Sequence, residues 1–161
     1  MQSLLAFKSD FHDPARHLAS WNVSFSCCLW EGVSCDSRTG RIVAVDLHNC
    51  TLSGNLRPEE LFNLTALEHL DVSFNNFSGL PIPTEMGFLK SLKYLNLSTA
   101  GFTGTVPWQL GNLSYLTGLD LSSPPSMLTS PDLSWLANLT ALTNISLNGV
   151  PFLLPSRNFN I

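Results

Sequence analysis

The sequence predicts an α/β solenoid, in which short parallel β-strands form a sheet on the concave face and a helical segment covers the N-terminal end. Two observations predict this fold. Five segments of the 161-residue chain repeat the pattern apolar-x-x-apolar-x-apolar at a nearly constant spacing. The first 40 residues lack the repeat, and a solenoid needs such a segment to cover the core of its first repeat.

The repeat defines the strands. The central apolar residues of the five segments are Val45, Leu70, Leu95, Leu119 and Ile145, at spacings of 25, 25, 24 and 26 residues. This period lies within the range of leucine-rich repeats, about 20 to 29 residues. Alternate strand residues point to the same side, so each segment directs apolar side chains inward, and stacked neighbours bury them together. An amphipathic helix is excluded because the apolar stretches are short, alternate, and precede Gly and Pro.

Composition restricts the functions that are open to this chain. Only 12% of the residues are charged, against roughly 25% in typical soluble domains, and the net charge is -4. The negative balance argues against nucleic-acid binding, which requires a basic face. No apolar run approaches the roughly 18 residues that cross a bilayer. Residues 1–8 lack the basic region, apolar core and cleavage site of a secretion signal.

Residues 1–40 form the predicted cap, and residues 41–161 form about five predicted repeats, of which the last is uncovered and reads as C-terminally truncated. Within the cap, the apolar residues between Leu4 and Phe11 predict a short amphipathic helix over residues 3–11 that ends near Pro14. We interpret Trp21 and Trp30 as core side chains that close the stack, and not as residues that contact a ligand.

The segments that follow the strands narrow the subclass. They read Leu52-Ser53-Gly54, Phe77-Ser78-Gly79-Leu80-Pro81-Ile82-Pro83 and Phe102-Thr103-Gly104-Thr105-Val106-Pro107, and the last continues to Leu110-Gly111-Asn112-Leu113. The cap carries Cys27-Cys28-Leu29-Trp30-Glu31-Gly32-Val33-Ser34-Cys35. These patterns resemble the plant-specific leucine-rich repeat, with its helix-like return, and its N-terminal cap. Nearly the whole chain resembles the N-terminal part of plant receptor-like proteins and receptor kinases, most of all the ethylene-inducing-xylanase-receptor type.

By spacing alone, the four cysteines are compatible with disulfides, a metal site or free thiols. Residues 27–35 lack both the Cys-x2-Cys spacing of zinc sites and a histidine. The family resemblance implies a disulfide between Cys28 and Cys35. In relatives with a doubled cysteine, the first one bonds to a cysteine upstream of the helix, so Cys27 is expected to lack its partner here. Cys50 is expected to be a buried thiol.

The chain departs from the family pattern in two ways. The family's first turn carries an Asn that ties each repeat to the next, and the corresponding residues here are Cys50, Asn75, Ala100, Pro124 and Val150. A weaker hydrogen-bonded ladder is therefore expected. The signal peptide, C-terminal cap, membrane helix and kinase of such receptors are not visible in the sequence, which favours a fragment or a truncated gene product.

Eight Asn-x-Ser/Thr sequons in a chain with few charges indicate an exported glycoprotein. Some of them follow from the repeat consensus, in which Asn-Leu-Ser and Asn-Leu-Thr recur for structural reasons. The predicted glycosylation sites are Asn22, Asn63, Asn76, Asn112 and Asn138. The remaining sequons begin at Asn49, Asn96 and Asn144.

No catalytic motif is present: the sequence has no zinc-protease, serine-hydrolase, phosphate-loop or kinase signature. We therefore predict no enzyme, no cofactor and no metal site. His48 and His69, in neighbouring repeats, are interpreted as solvent-facing or ligand-contacting side chains. The column formed by Asp46, Asp71 and Asp120 follows from the family's Leu-Asp-Leu-Ser consensus, which accounts for it without catalysis.

Ligand binding is predicted on the concave face, at polar strand residues between the inward-facing ones. The predicted site consists of Asp46, His48, Glu68, His69, Asp71, Ser73, Lys93, Tyr94, Asn96 and Asp120. Tyr94 is the only Phe, Trp or Tyr in this set, and such residues are enriched among binding hot spots. Lys93 near Glu68 completes a mixed patch suited to peptide or protein groups. The alternative is that this small part of a long ectodomain contributes only stacking.

The resemblance implies a ligand-binding segment of a plant cell-surface receptor in defence or developmental signalling, on the outer face of the plasma membrane. Its expected partners are an extracellular protein, peptide or oligosaccharide and a co-receptor kinase. No nucleic acid is expected, and the membrane is reached only through a C-terminal helix outside this sequence. Two alternatives are a secreted inhibitor of microbial wall-degrading enzymes, similar to polygalacturonase-inhibiting proteins, and a truncated gene product without independent activity. The irregular repeat with Pro124 and Trp135 favours the receptor, because the inhibitors have more regular repeats.

Overall fold

The computed structural model describes residues 2–56, 60–61 and 63–152; the remainder of the predicted repeats, including residues 153–161, lies outside the described residues. Helix α1 spans Gln2–Ser9. The strands are β1 Phe11–His12, β2 Val33–Cys35, β3 Ile42–Asp46, β4 Ser53–Gly54, β5 His69–Asp71, β6 Tyr94–Asn96, β7 Gly104–Thr105, β8 Gly118–Asp120, β9 Leu128–Thr129 and β10 Asn144–Ser146. The 3-10 helices of this part of the chain are Cys27–Leu29, Thr84–Phe88, Trp108–Asn112 and Ser134–Asn138.

The main sheet has the strand order β2-β3-β5-β6-β8-β10, in which β2 is antiparallel to β3 and all other pairs are parallel. The register pairs Val45 with Leu70, Leu70 with Leu95, Leu95 with Leu119, and Leu119 with Ile145. These are the central residues of the sequence repeat, so the predicted fold and its register are confirmed. The first four are buried, whereas Ile145 in the last described strand is 45% exposed.

The return segments lie on the other side of the stack. The predicted helix-like return is confirmed by the 3-10 helices Thr84–Phe88 and Trp108–Asn112. A Cβ on Gly87 would lie 2.4 Å from the carbonyl oxygen of Gln109, so the glycine allows neighbouring returns to stack closely. A second ladder follows the turns after the main strands, where β7 pairs in parallel with β9.

Helix α1 ends earlier than the sequence predicts. It stops at Ser9 and not at Phe11, because Phe11 and His12 form β1, which pairs antiparallel with β4. The Phe11 ring lies 4.7 Å from the Phe7 ring and 5.7 Å from the Phe77 ring, centroid to centroid. This pairing with the first repeat overrides the helical pattern at Phe11, since tertiary contacts outweigh the weak intrinsic preference for helix.

The cap closes the N-terminal end of the core. The rings of Trp21 and Trp30 stack with centroids 5.5 Å apart, and both side chains are buried, as predicted. The Trp21 indole Nε1 donates a hydrogen bond to the carbonyl oxygen of Glu31 at 2.8 Å. The Cys28–Cys35 disulfide that the resemblance implied is present, with Cα atoms 5.5 Å apart. It anchors β2, a strand that the sequence pattern did not reveal, along the edge of the sheet.

Asn75 joins the first two repeats through its buried amide. Its Oδ1 accepts a hydrogen bond from the N–H of Leu52 at 2.9 Å. Its Nδ2 donates to the carbonyl oxygens of Leu47 and Val72 at 2.7 and 2.9 Å. Ala100, at the corresponding position of the next repeat, is buried and carries no amide. Asn75 therefore joins the first two repeats by hydrogen bonds that Ala100 does not provide in the next repeat.

Replacing Asn75 with Ala is expected to lower the free energy of unfolding by about 2–3 kcal/mol, because a buried N–H and two carbonyls lose their partner. Denaturant unfolding followed by circular dichroism measures the difference. The matched control is Asn148→Ala at an exposed position, which is expected to change stability by less than about 0.5 kcal/mol. Equally small effects of both variants would contradict the role assigned to Asn75.

Candidate ligand-binding face

The concave face is built from strand side chains that point away from the core, and the register aligns them in rows. The first row is Ala44, His69, Tyr94, Gly118 and Asn144, and the middle row is Asp46, Asp71, Asn96, Asp120 and Ser146. Two residues further along each repeat, the last row is His48, Ser73, Ser98, Ser122 and Asn148. Neighbours within a row sit on adjacent strands about 4.8 Å apart, which is close enough for their side chains to touch.

The middle row terminates the strands. In four repeats its side-chain oxygen accepts a hydrogen bond from the N–H two residues later; the pairs are Asp46–His48 at 3.0 Å, Asp71–Ser73 at 2.9 Å, Asn96–Ser98 at 3.0 Å and Asp120–Ser122 at 2.8 Å. Asp and Asn favour such turns because their short side chains reach this N–H. The column of Asp residues therefore has a structural origin, and this agrees with its interpretation as a consensus feature.

Three residues of the predicted site are buried, and the expectation that they face solvent is wrong. Asp71 is 7% exposed, Ser73 is 0% and Asn96 is 9%. Asn96 Nδ2 donates to Asp71 Oδ2 at 3.0 Å, and the Ser73 hydroxyl donates to Asp71 Oδ1 at 2.5 Å. A buried carboxylate needs such partners to offset its lost hydration. These three residues support the face from below and do not present polar atoms to a ligand.

His48 lies above this network. The hydroxyl hydrogen of Ser73 goes to Asp71, so the 2.9 Å contact between His48 Nδ1 and Ser73 Oγ requires the proton on Nδ1. The imidazole meets the ring of Phe74 edge to face at 5.2 Å. Phe74 is 51% exposed and has φ of +54°, an unfavourable conformation for a bulky residue. The sequence pattern does not single it out, because this turn position is polar in the adjacent repeats.

His69 and Tyr94 form a stacked aromatic pair on the first row. Their ring centroids are 4.5 Å apart and their planes differ by 9°. The Tyr94 hydroxyl accepts a hydrogen bond from Asn96 Nδ2 at 3.3 Å. Burial, and then the nearby Asp71 carboxylate, raises the pKa of Tyr94, so the phenol stays neutral at physiological pH. The pair is a flat, partly exposed surface with little conformational freedom, as is typical of binding hot spots.

An exposed ion pair flanks the aromatic pair. Lys93 Nζ lies 2.7 Å from Glu68 Oε2, and the two side chains are 55% and 45% exposed. A pair this accessible to water adds about 0–1 kcal/mol to stability, so a ligand can displace either partner at low cost. The members of the predicted site that reach the surface are Asp46, His48, Glu68, His69, Lys93, Tyr94 and Asp120.

The structure does not bring His48 and His69 together, because one belongs to the last row and the other to the first. Across residues 2–56, 60–61 and 63–152, the one cluster of three potential metal ligands is Cys27, Cys28 and Cys35, with Sγ atoms within 4.8 Å of one another. Two of these sulfurs form the disulfide and are not thiolates. The cluster therefore lacks the three thiolates that a zinc site would need.

A groove runs along the flank of the stack of repeats, away from the three rows of the concave face. It has a volume of about 1000 Å³ and is lined by the turns after the main strands, with Pro81, Pro107 and Trp108 among its residues. The Trp108 side chain is 67% exposed. The available sequence signal for this groove is a Trp directly after a turn Pro, which the concave-face prediction did not include.

The predicted glycosylation sites differ in accessibility. Asn63, Asn76 and Asn138 are exposed, whereas Asn22 and Asn112 are partly buried. The side-chain Nδ2 of Asn22 also donates hydrogen bonds to two backbone carbonyls, at 3.3 and 3.2 Å. Glycan transfer requires a free Asn amide at the surface. The three exposed sites therefore meet this requirement best.

Two domain families match the chain. Residues 1–36 match the Leucine rich repeat N-terminal domain, and residues 66–87 and 91–113 match the Leucine Rich Repeat. Receptor-like protein EIX1 of Solanum lycopersicum is 39% identical over 166 residues, which cover 93% of this chain and 16% of that protein. Within the described residues, no helix combines the length and apolar character needed to span a bilayer.

Solved structures share the fold. The chain superposes on a chain of the BIR3–SERK2 complex from Arabidopsis thaliana with a TM-score of 0.83 and 31% identity, covering 93% of this chain and 81% of that one. A second solved structure with this fold is the ectodomain of the membrane receptor kinase GASSHO1/SCHENGEN3 from Arabidopsis thaliana, crystallised with CASPARIAN STRIP INTEGRITY FACTOR 2. There the TM-score is 0.67 and the identity 28%, over 94% of this chain and 21% of the ectodomain.

The pKa of Cys50 gives a test of its surroundings. Burial, with smaller contributions from Glu31 and Asp46, raises this pKa to about 11. In a Cys27→Ser variant, in which Cys50 is the only free thiol, alkylation should speed up about tenfold per pH unit from pH 7 to 10, because the thiolate reacts. Stopped alkylation with mass spectrometry measures the rate. For the same variant unfolded in urea, the alkylation rate should stop rising near pH 9. A rate that also stops rising near pH 9 in the folded protein would contradict the effect of burial on the Cys50 pKa.

Proposed function

This chain belongs to the plant leucine-rich-repeat receptor ectodomains, and on that premise we propose that it binds a ligand as part of a cell-surface receptor in defence or developmental signalling. The observation that carries the proposal is the stacked His69–Tyr94 pair on the concave face. The Nδ2 of Asn96 donates hydrogen bonds both to the Tyr94 hydroxyl and to the buried Asp71 carboxylate, which links the pair to the residues beneath it. A surface fixed before binding loses little conformational entropy when a ligand arrives.

The surface chemistry supports an extracellular protein, peptide or oligosaccharide as the ligand. Aromatic faces, carboxylates and an exchangeable ion pair lie side by side in a shallow concavity. The complexes of BIR3 with SERK2, and of GASSHO1/SCHENGEN3 with its factor, support a protein partner and a co-receptor kinase. The Ser73 hydroxyl is fully buried and donates to Asp71, so it is not accessible as a nucleophile, and this supports binding over catalysis by that serine.

The proposal assigns the chain to the outer face of the plasma membrane, with residues 1–40 as the cap and residues 41–161 as repeats. The Cys28–Cys35 disulfide supports this, since disulfides persist in oxidising compartments. The exposed sequons at Asn63 and Asn76 fit the same environment. The chain spans 16% of the length of EIX1, so the activity of a whole receptor is part of the proposal.

The test is a double substitution, Tyr94→Ala with Lys93→Glu, in a full receptor that contains this segment. Truncating a central aromatic and reversing a charge should cost about 2 kcal/mol of ligand binding, which is roughly a 30-fold shift of the dose–response midpoint. Protein abundance should not change, because both side chains are partly exposed. Signalling output against ligand dose, with immunoblots for abundance, measures both quantities.

The matched control is Tyr115→Ala with Lys90→Glu. Both of these side chains are exposed, and neither belongs to the concave rows. This control should leave the midpoint within about threefold of the parent, because exposed positions away from an interface contribute little to binding. An unchanged midpoint in the Tyr94 variant at normal abundance would make the face a spacer, with recognition elsewhere in the receptor.

A further inference from the structure

Gly118 interrupts the first row of the concave face. Its neighbours in the row are Tyr94 and Asn144, on the strands to either side. A Cβ on Gly118 would lie 2.9 Å from Cδ2 of Tyr94, so the tyrosine ring already leans over the glycine. The missing side chain leaves a cavity of about 280 Å³, lined by Tyr94, Gly118, Asp120, Asn144 and Ser146 among others. We call this cavity the Gly118 slot.

The slot has the shape of a gap in a stack of flat groups. One face of the Tyr94 ring is covered by His69 at 4.5 Å, nearly parallel. His69 lies on β5, on one side of Tyr94, and the other side of the tyrosine borders β8 and the slot. Strands β6 and β10, on either side of Gly118, are about 9.6 Å apart, twice the strand spacing. A planar group in contact with both walls needs about 3.5–4 Å on each side, or about 7–8 Å in all. The Tyr94 ring leans from β6 towards Gly118 and narrows the gap to this width.

The charge of the slot is negative. Asp120 lines it, and only Oδ1 of this carboxylate has a hydrogen-bond partner in the described part of the chain, the N–H of Ser122. The nearest cationic side chain on the face, Lys93, is paired with Glu68. The Asp71 and Asp120 carboxylates both contribute to the raised pKa of Tyr94, so their potential reaches the ring. A π-face beside a free carboxylate oxygen attracts a cation.

We propose that the Gly118 slot receives the guanidinium group of an arginine side chain from the protein or peptide ligand, stacked on Tyr94 and paired with Asp120. Guanidinium is planar, always charged and weakly hydrated, so it meets the shape and the charge of the slot together. An ammonium meets only the charge, and a neutral ring meets only the shape. The proposal rests on the proposed function, since it names the ligand group that this face recognises.

The chain provides an internal reference for a direct test, because it has two tyrosines. Tyr115 is 66% exposed and lies outside the slot. In the 161-residue protein with ring-¹³C tyrosine, titration with N-acetyl-arginine amide should shift the Tyr94 resonances and leave those of Tyr115 in place. N-acetyl-citrulline amide, an uncharged analogue of the same shape, and N-acetyl-lysine amide should each bind at least threefold more weakly. Equal binding of citrulline would overturn the proposal, as would a Tyr94 response to a neutral oligosaccharide and not to arginine.

A matched pair of variants isolates the carboxylate. Asp120→Asn keeps the oxygen that accepts from Ser122 and removes the charge, and it should weaken arginine binding about three- to tenfold. Asp132→Asn is the control, because Asp132 also accepts a hydrogen bond at 2.8 Å from the N–H two residues later, that of Ser134, but lies on the flank. It should leave arginine binding unchanged. An Asp120→Asn variant that binds as tightly as the parent would exclude the ion pair and overturn the proposal.

The outcomes separate this proposal from the proposed function. If arginine fails to move Tyr94 while Tyr94→Ala still lowers the receptor response, the face binds a ligand and the arginine assignment is wrong. If arginine moves Tyr94 but Tyr94→Ala leaves the response unchanged, the slot exists and the proposed function is wrong. Gly118→Val, which fills the slot, should abolish the Tyr94 shift; circular dichroism checks its fold, and Asp120→Asn decides the question if that variant does not fold.

Discussion

The structure depends on the inability of a single repeat to bury its own apolar strand residues. Val45, Leu70, Leu95 and Leu119 each become buried only because the neighbouring strand lies alongside. Burial and backbone pairing together fix the register, since a slip of one residue would turn every apolar side chain to the opposite face. At the first repeat no earlier strand exists to provide this cover. There β2, tied by the Cys28–Cys35 disulfide, takes its place.

The same register governs the concave face, because aligned strands also align the polar residues between the apolar ones. The middle row shows that alignment does not make every polar residue available to a ligand. Its carboxylates and amides hold the turn N–H groups, and Asp71 and Asn96 bond to each other below the surface. The side chains available for recognition are those whose faces or polar atoms make no hydrogen bond within the fold. The His69–Tyr94 pair and Asp120, with its free carboxylate oxygen, are among them.

The period of the sequence was enough to predict the five parallel strands of the main sheet, their order and their register, because the same spacing of apolar residues recurs in five repeats. It did not predict the antiparallel edge strand β2. The Trp21–Trp30 pair could also be predicted, since an unrepeated segment with large apolar residues must cover the open core. The end of α1 could not be predicted, because it is determined by the pairing of β1 with β4, a strand that begins only at Ser53. The burial of Asp71 and Ser73 accompanies hydrogen bonds with side chains of adjacent repeats, from Asn96 to Asp71 and between His48 and Ser73, and a row pattern contains no information on which side chains bond to each other.

Phe74 and Gly118 depart from the repeat pattern at positions that matter for recognition. A perfectly regular repeat would place the same residue at every position of a row, so that every repeat would offer a ligand the same contacts. Phe74 occupies a left-handed turn position at which a small or polar residue would be more stable, and its ring is half exposed. Gly118 removes a side chain from a strand, where glycine is disfavoured, and thereby opens a slot beside Tyr94. Both residues weaken the repeat locally and both create surface features next to aromatic rings. In a solenoid whose stability comes from regular stacking, such irregular positions are where specificity for a partner can be built.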